Sequence, residues 1–133
     1  MRICIDLDGV ICQFKKPGET YAQVKPVPGA LDKLKRWRSE GHYIIISTGR
    51  HMKSCSGNVG QVLAKQGLVT LQWLARHRVE YDEVHFGKPF ADVYIDDNAV
   101  RFTSWEQFDN RADALPPSRE SDHRKSSARK SDA

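Results

Sequence analysis

Two close pairs of acidic residues, Asp6 with Asp8 and Asp96 with Asp97, each follow a short run of apolar residues. Buried strands have this pattern, so each pair is expected at or just beyond the end of a strand. Carboxylates placed in this way suit phosphoryl transfer, because Asp6 can attack phosphorus and form an aspartyl-phosphate. Asp8 can protonate the leaving oxygen and then act as a base on the water that releases phosphate.

A site for phosphoryl transfer must also neutralise the phosphate charge and hold its oxygens. Lys88 supplies a fixed positive charge, and the Thr48 hydroxyl and nearby backbone amides, including that of Gly49, can bind a phosphate oxygen. Several carboxylates around an anion require a cation, and Mg²⁺ prefers carboxylate and phosphate oxygens. Asp96 and Asp97 are therefore the remaining candidate ligands of a magnesium ion.

Short apolar runs alternate with helical segments along the chain. Four runs predict strands, at residues 3–7, 43–47, 84–86 and 93–95. Nearly continuous apolar runs are typical of strands in a parallel sheet that helices cover on both faces. We therefore expect an α/β fold with a Rossmann-like sheet. Ligands of such sheets bind beyond the carboxyl ends of the strands, which is where the polar residues described above fall.

Helical spacing is clear in two places. Leu31, Leu34 and Trp37 predict a helix between the first two apolar runs, with Lys33 on its solvent face. Thr70 is expected to cap a second helix, which precedes the third run. These helices are long enough to cover a sheet.

Length and composition favour one domain followed by a short tail. The chain has 133 residues, of which 39% are hydrophobic and 29% charged, and its formal net charge is +4. We expect residues 1–110 to form the domain and residues 111–133 to form a disordered basic tail. Cys4, inside the first apolar run, is expected in the core. Neither a membrane span nor a secretory signal is evident, so a cytoplasmic protein is expected.

Four segments resemble, in order, the motifs of the haloacid dehalogenase superfamily. Residues 6–10 (Asp-Leu-Asp-Gly-Val) resemble the first motif, residues 44–50 the second, residues 87–89 (Gly-Lys-Pro) the third and residues 93–98 the fourth. The resemblance implies the superfamily's core fold and a magnesium-dependent phosphatase. It also implies a set of magnesium ligands: Asp6, the backbone carbonyl of Asp8, and Asp96, with Asp97 near the metal or its waters.

Within the superfamily, the chain is similar to small phosphatases of capsule or polysaccharide biosynthesis. That similarity implies a sugar phosphate or a glycan precursor as substrate. The intervals 10–43 and 49–86 are too short for a full cap domain. We therefore expect an open site, or one that is closed by a second copy of the chain or by the loop of residues 51–69.

Several alternatives stay open at this level. The enzyme can instead act on nucleic-acid or nucleotide termini, or the chain can be a non-enzymatic module that binds a phosphorylated ligand. Arg50 and His51 can contact the substrate or only solvent, and either Ser47 or Thr48 can hold the phosphate. The motifs do not contain the residues that would recognise the rest of the substrate.

Overall fold

The computed structural model describes residues 1–109 and 115–118. The predicted domain boundary at residue 110 and most of the predicted tail, residues 111–133, lie outside the described residues. Within the described ranges, no helix is both long enough and apolar enough to cross a membrane.

Three parallel strands form the sheet of the described chain: β1 (Arg2–Asp6), β2 (Tyr43–Thr48) and β3 (Glu83–Phe86). They lie in the order β1-β2-β3. Asp6 at the end of the first strand pairs with Ser47, and Thr48 at the end of the second pairs with Phe86. The carboxyl ends of all three strands therefore meet at one edge, as predicted for a parallel α/β sheet.

Helices connect these strands. Helix α1 (Ala30–Ser39) joins β1 to β2, and its buried Leu34 and Trp37 confirm the predicted apolar face. Between β2 and β3 the chain forms three consecutive helical segments, and neither connection holds a separate cap domain. The three segments are α2 (Val59–Val62), a π-helical turn (Leu63–Gly67) and α3 (Leu68–Arg76).

Burial alternates along β2, as it must when one face of a strand carries the core. Ile44, Ile46 and Thr48 are fully buried, whereas the residues between them are half-buried. The isoleucines join a cluster that includes Leu34 of α1 and Trp73 of α3. Thr48 is therefore in phase with the core-facing side chains of its strand.

The predicted fourth strand at residues 93–95 does not form. Val93 is 72% exposed and Ile95 is 98% exposed, and no described strand includes them. In the described sheet β1 therefore has a neighbour on one side, and Cys4 is exposed rather than in the core. Both predictions were wrong for the same reason, because an apolar run becomes a buried strand only where other elements cover it.

Two predictions about polar residues on helices were also wrong. Thr70 is not a helix cap, because helical structure already runs from α2 through the π-helical turn into α3, where Thr70 is fully buried. Lys33 does not lie on the solvent face of α1. It is only 9% exposed and forms an ion pair with Asp109.

A short 3₁₀ turn, Trp105–Asp109, covers α1 and completes the core. The Trp105 ring lies edge-on to Trp37, with 5.6 Å between centroids, and the Phe108 ring lies 5.1 Å from Trp37. The Trp105 indole N–H donates a 2.8 Å hydrogen bond to the carbonyl of Val10, in the loop that follows β1. This turn therefore ties the end of the described domain to the loop that carries Asp8.

Trp105→Ala is expected to lower the free energy of unfolding by about 3–5 kcal/mol, the usual cost of deleting a buried aromatic side chain. Trp105 is 3% exposed, so the substitution leaves a cavity and orphans the Val10 carbonyl. Denaturant titration measures the change. Leu68→Ala is the control: Leu68 is 70% exposed, and its replacement should change the stability by at most about 0.5 kcal/mol. Equal effects of the two substitutions would contradict the described packing of the turn.

Candidate active site

Asp6, the last residue of β1, has its carboxylate between a backbone amide and a lysine. Oδ1 accepts a 2.8 Å hydrogen bond from the Leu7 N–H, and Oδ2 lies 3.4 Å from Nζ of Lys88. Burial raises the pKa of Asp6, while the Lys88 ammonium and the Leu7 amide oppose that shift. The carboxylate is thus held in one orientation beside a positive charge that can attract an anionic substrate.

A tight turn after β1 keeps Asp8 close to the same edge. Gly9 has a φ of 85°, a left-handed conformation that glycine adopts without strain. Asp6 and Asp8 consequently line one cleft, as the sequence predicted. The turn is closed by the Leu7 carbonyl, which accepts hydrogen bonds from three backbone amides, those of Val10, Ile11 and Cys12.

Arg50 holds the Asp8 carboxylate from behind. Its Nε–H lies 3.1 Å from Oδ1 and 3.0 Å from Oδ2 of Asp8, and its side chain has 0% exposure. Arg50 was a candidate substrate contact. It is among the residues that line the cleft, but its side chain has no surface exposed to solvent. His51, the other candidate, does line the cleft and is half-buried.

The hydroxyl predicted to hold phosphate does not point at the cleft. Thr48 is 0% exposed, and its Oγ1 accepts a 3.1 Å hydrogen bond from the Arg50 backbone N–H. The reason is the alternation of β2, which turns Thr48 toward the core. Ser47 is half-buried and pairs in register with Asp6, so its side chain projects to the same face of the sheet as Asp6.

Lys88 reaches the site because two loops pack closely. Its backbone N–H donates a 3.1 Å hydrogen bond to the Thr48 carbonyl. A Cβ at Gly49 would lie 3.1 Å from the Lys88 carbonyl oxygen, so only glycine leaves ordinary contact distances there. Gly49 and Lys88 both line the cleft, and their contact with phosphate stays a prediction.

The cleft has a volume of about 880 Å³ and is open to solvent. The sequence motifs did not predict most of its wall, because the wall comes from the loop before α1, the loop after β2 and the segment after Lys88. Their signal in the sequence is only a mixture of aromatic and basic residues within loops. These wall residues include four aromatic residues and two lysines: Phe14, Tyr21, Phe90, Tyr94, Lys15 and Lys53.

Asp96 and Asp97 are not brought to the first pair of acids. Both are exposed, and neither lines the cleft. Across residues 1–109 and 115–118, no group of three or more His, Cys, Asp or Glu side chains is close enough to hold a metal ion. The predicted ligand set is therefore not assembled, because the strand that would have carried Asp96 to the sheet edge does not form.

The remaining donors still fit a magnesium ion. Mg²⁺ often binds through one or two protein carboxylates and completes its shell with waters and substrate phosphate oxygens. The Asp6 carboxylate, which lines the cleft beside Lys88, meets that smaller requirement and leaves the Asp8 carboxylate for acid/base chemistry.

Comparison with solved structures identifies a relative. A crystal structure of a structural-genomics target from Vibrio cholerae is 31% identical, with 86% of this chain and 89% of that chain covered and a TM-score of 0.72. The Pnkp1/Rnl/Hen1 complex is 22% identical, with 83% of this chain and 33% of that chain covered and a TM-score of 0.48. D,D-heptose 1.7-bisphosphate phosphatase from B. bronchiseptica, complexed with magnesium and phosphate, is 16% identical, with 68% and 51% covered and a TM-score of 0.46.

The last two likenesses are too weak to bear on chemistry. No protein-family model matches the chain, and no curated protein matches it. The Vibrio cholerae protein is 31% identical to this chain over most of both chains, and relatives this similar belong to one family. The chain therefore belongs to the same family as the Vibrio cholerae protein, and residues 1–109 form a parallel α/β sheet whose connections hold no separate cap domain.

Proposed function

We propose that the protein is a magnesium-dependent phosphatase that hydrolyses phosphate monoesters through an aspartyl-phosphate on Asp6. The observation that carries the proposal is the arrangement at the sheet edge. Two carboxylates, Asp6 and Asp8, face one open cleft, and the Lys88 ammonium lies 3.4 Å from Asp6. A nucleophile, an acid/base and a fixed cation are the groups that this reaction requires.

In the first step, an oxygen of Asp6 forms a bond to phosphorus as the bond to the ester oxygen breaks. The leaving oxygen takes a proton from Asp8. In the second step, water attacks the phosphorus of the aspartyl-phosphate and gives a proton to Asp8, and the bond from phosphorus to Asp6 breaks. Free Asp6, inorganic phosphate and a protonated Asp8 result, so the site returns to its starting state.

Lys88 stabilises the phosphoryl oxygens during both steps through its charge. A magnesium ion held by Asp6 and the backbone carbonyl of Asp8 would supply further neutralisation of the phosphate. Asp6 is already oriented by the Leu7 amide, so its nucleophilic oxygen needs little rearrangement before attack.

The proposed substrate is a sugar phosphate or a glycan precursor. The rings of the cleft favour a second class, phosphates carried by nucleotides or by nucleic-acid ends, because bases stack on exposed aromatic side chains. Phe14 is 73% exposed and Phe90 is 62% exposed, and both line the cleft. A panel of sugar phosphates, nucleoside monophosphates and terminally phosphorylated oligonucleotides, assayed for released phosphate, distinguishes the two classes. If oligonucleotides are the substrates, the KM should rise steeply with salt concentration.

Activity is expected to disappear in EDTA and to return when excess Mg²⁺ is added. Ca²⁺ should support turnover poorly, because it takes more ligands in a looser geometry and would misalign the attack. Phosphate release from a good substrate of the panel measures the effect, and the return of activity after EDTA shows that the protein was not denatured. Full turnover in metal-free buffer would refute the magnesium requirement.

A further inference from the structure

We infer that Arg50 is a positioning residue: it fixes the Asp8 carboxylate so that Oδ2 is the atom that gives and takes the proton. The inference rests on the proposed function, since it concerns the acid/base of that reaction. Arg50 does not touch the substrate, because its side chain has 0% exposure and lies behind Asp8. Any effect of the guanidinium on the reaction must therefore pass through Asp8.

The two oxygens of Asp8 are not equivalent. Oδ1 accepts hydrogen bonds from Nε of Arg50 at 3.1 Å and from the Cys12 thiol at 3.3 Å. Oδ2 accepts one from Nε of Arg50, at 3.0 Å. Arg50 has a single Nε–H, which the two oxygens share, whereas the Cys12 thiol donates to Oδ1 alone, so Oδ2 has the fewer donors. The Asp8 side chain is 22% exposed, and the oxygen with fewer donors, Oδ2, is the one that we assign to carry the proton.

Arg50 itself is fixed from several sides. Its Nη1–H donates to Oγ1 of Thr70 at 3.1 Å, and its Nη2–H donates to Sγ of Cys12 at 3.3 Å. The guanidinium lies 4.3 Å from the centroid of the Tyr21 ring, within the range of a cation–π contact. The planar guanidinium is thus held by α3, by the loop after β1 and by an aromatic ring. These contacts fix its orientation, and the guanidinium in turn fixes the orientation of the Asp8 carboxylate.

Such a clamp matters because Asp8 lies in a turn. The hydrogen bonds to the Leu7 carbonyl fix the backbone of this turn, but the side-chain torsions of Asp8 still decide the direction of its carboxylate. Misplacing a reacting group by about 1 Å can cost about 10²-fold in rate. The buried Thr70, which the sequence offered only as a helix cap, thus contributes to the site through Arg50.

The test measures the first chemical step of Arg50→Lys by rapid mixing, with an alkyl phosphate and with nitrophenyl phosphate. Lysine keeps the charge but lacks the planar fork. We expect the alkyl phosphate to react about 10²-fold more slowly and nitrophenyl phosphate to be affected far less, since nitrophenolate leaves without a proton. KM should change by less than about twofold, because no substrate contact is lost. In Arg50→Ala, added guanidinium chloride should restore part of the alkyl rate.

Variants of the neighbours extend the test if Arg50→Lys does not fold. Cys12→Ala removes one bond to Oδ1 and one to Nη2, so it should show the same leaving-group dependence with a smaller loss. Cys12→Ser keeps a donor to Oδ1 and should lose less than Cys12→Ala. Arg36→Lys is the matched control: Arg36 is an exposed arginine on α1, paired with Glu40, and its replacement should change neither substrate's rate.

Two outcomes would overturn the inference while the proposed function stands. A rise in KM for both substrates at unchanged kcat would mean that Arg50 contacts the substrate. Equal losses in the first step for both leaving groups, without rescue by guanidinium, would mean that Arg50 only supports the fold. If the wild type releases no phosphate from any substrate, or if Asp6→Asn remains active, the proposed function fails and the inference falls with it.

Discussion

Asp6→Asn is expected to abolish turnover of phosphate monoesters and the formation of a phosphoenzyme. Asparagine keeps the shape of the side chain and can still accept the Leu7 N–H bond, but it has no anionic oxygen to attack phosphorus. The loss should be at least about 10⁴-fold, comparable to the removal of a nucleophile in other enzymes with covalent intermediates. Phosphate release and the intact mass of acid-quenched protein measure the two effects.

The fold of the variant should be intact. Burial raises the pKa of Asp6, so the ionised carboxylate is less favourable in the folded protein than in the unfolded chain at neutral pH. A neutral amide removes that cost, and the melting temperature should not fall. Asp32→Asn, an exposed aspartate in the first turn of α1, is the control and should keep full activity. Substantial turnover by both Asp6→Asn and Asp6→Ala would remove Asp6 from the role of nucleophile.

The residues that the sequence placed correctly depend on short-range structure. Asp6 ends β1, Asp8 follows within one tight turn, and Lys88 comes two residues after β3. When the strand is predicted, the position of such residues at the sheet edge follows from parallel topology alone. The parallel sheet could be predicted for the same reason, and so could the lack of a cap domain in the two described connections between its strands, since both depend on the spacing of apolar runs.

Thr48 was misplaced although the sequence contains the signal. Side chains alternate along a strand, so Thr48 must face the same way as Ile46 and Ile44. The continuous apolar run concealed that alternation, because a sheet buried on both faces has no polar side. In the structure one face of β2 is fully buried and the other only partly. Ser47 lies on the partly buried face and pairs in register with Asp6, whereas Thr48 lies on the buried face.

The role of Arg50 could not have been read from the sequence. An arginine in a loop after a strand is most often exposed, and it becomes buried only where partners satisfy its donors. Those partners are Asp8, Cys12 and Thr70, which lie 42, 38 and 20 residues away along the chain. The prediction of a strand at residues 93–95 was wrong for a similar reason. A strand there would need distant elements to cover residues 93–95, and they do not.

Asp8→Asn is expected to slow the first step by about 10²–10⁴-fold for sugar or alkyl phosphates, which is the usual contribution of general acid catalysis. A sugar hydroxyl is a poor leaving group and needs the proton from Asp8. Nitrophenolate leaves readily without a proton, so nitrophenyl phosphate should form the aspartyl-phosphate nearly as fast as in the wild type. The second step also lacks its base, and phosphoenzyme should therefore accumulate with nitrophenyl phosphate.

The neighbours of Asp8 make this substitution a clean test. The Arg50 guanidinium and the Cys12 thiol both donate to Oδ1, so the asparagine should direct its carbonyl oxygen to them. Its NH₂ then replaces Oδ2 and cannot accept from Nε of Arg50, so the contacts at Oδ1 are kept while the one at Oδ2 and the atom that carries the proton are lost. Pre-steady-state bursts with the two substrates measure the first step, and the mass of quenched protein measures trapped phosphoenzyme. Equal losses with both substrates and no trapped phosphoenzyme would mean that Asp8 serves metal binding or structure instead.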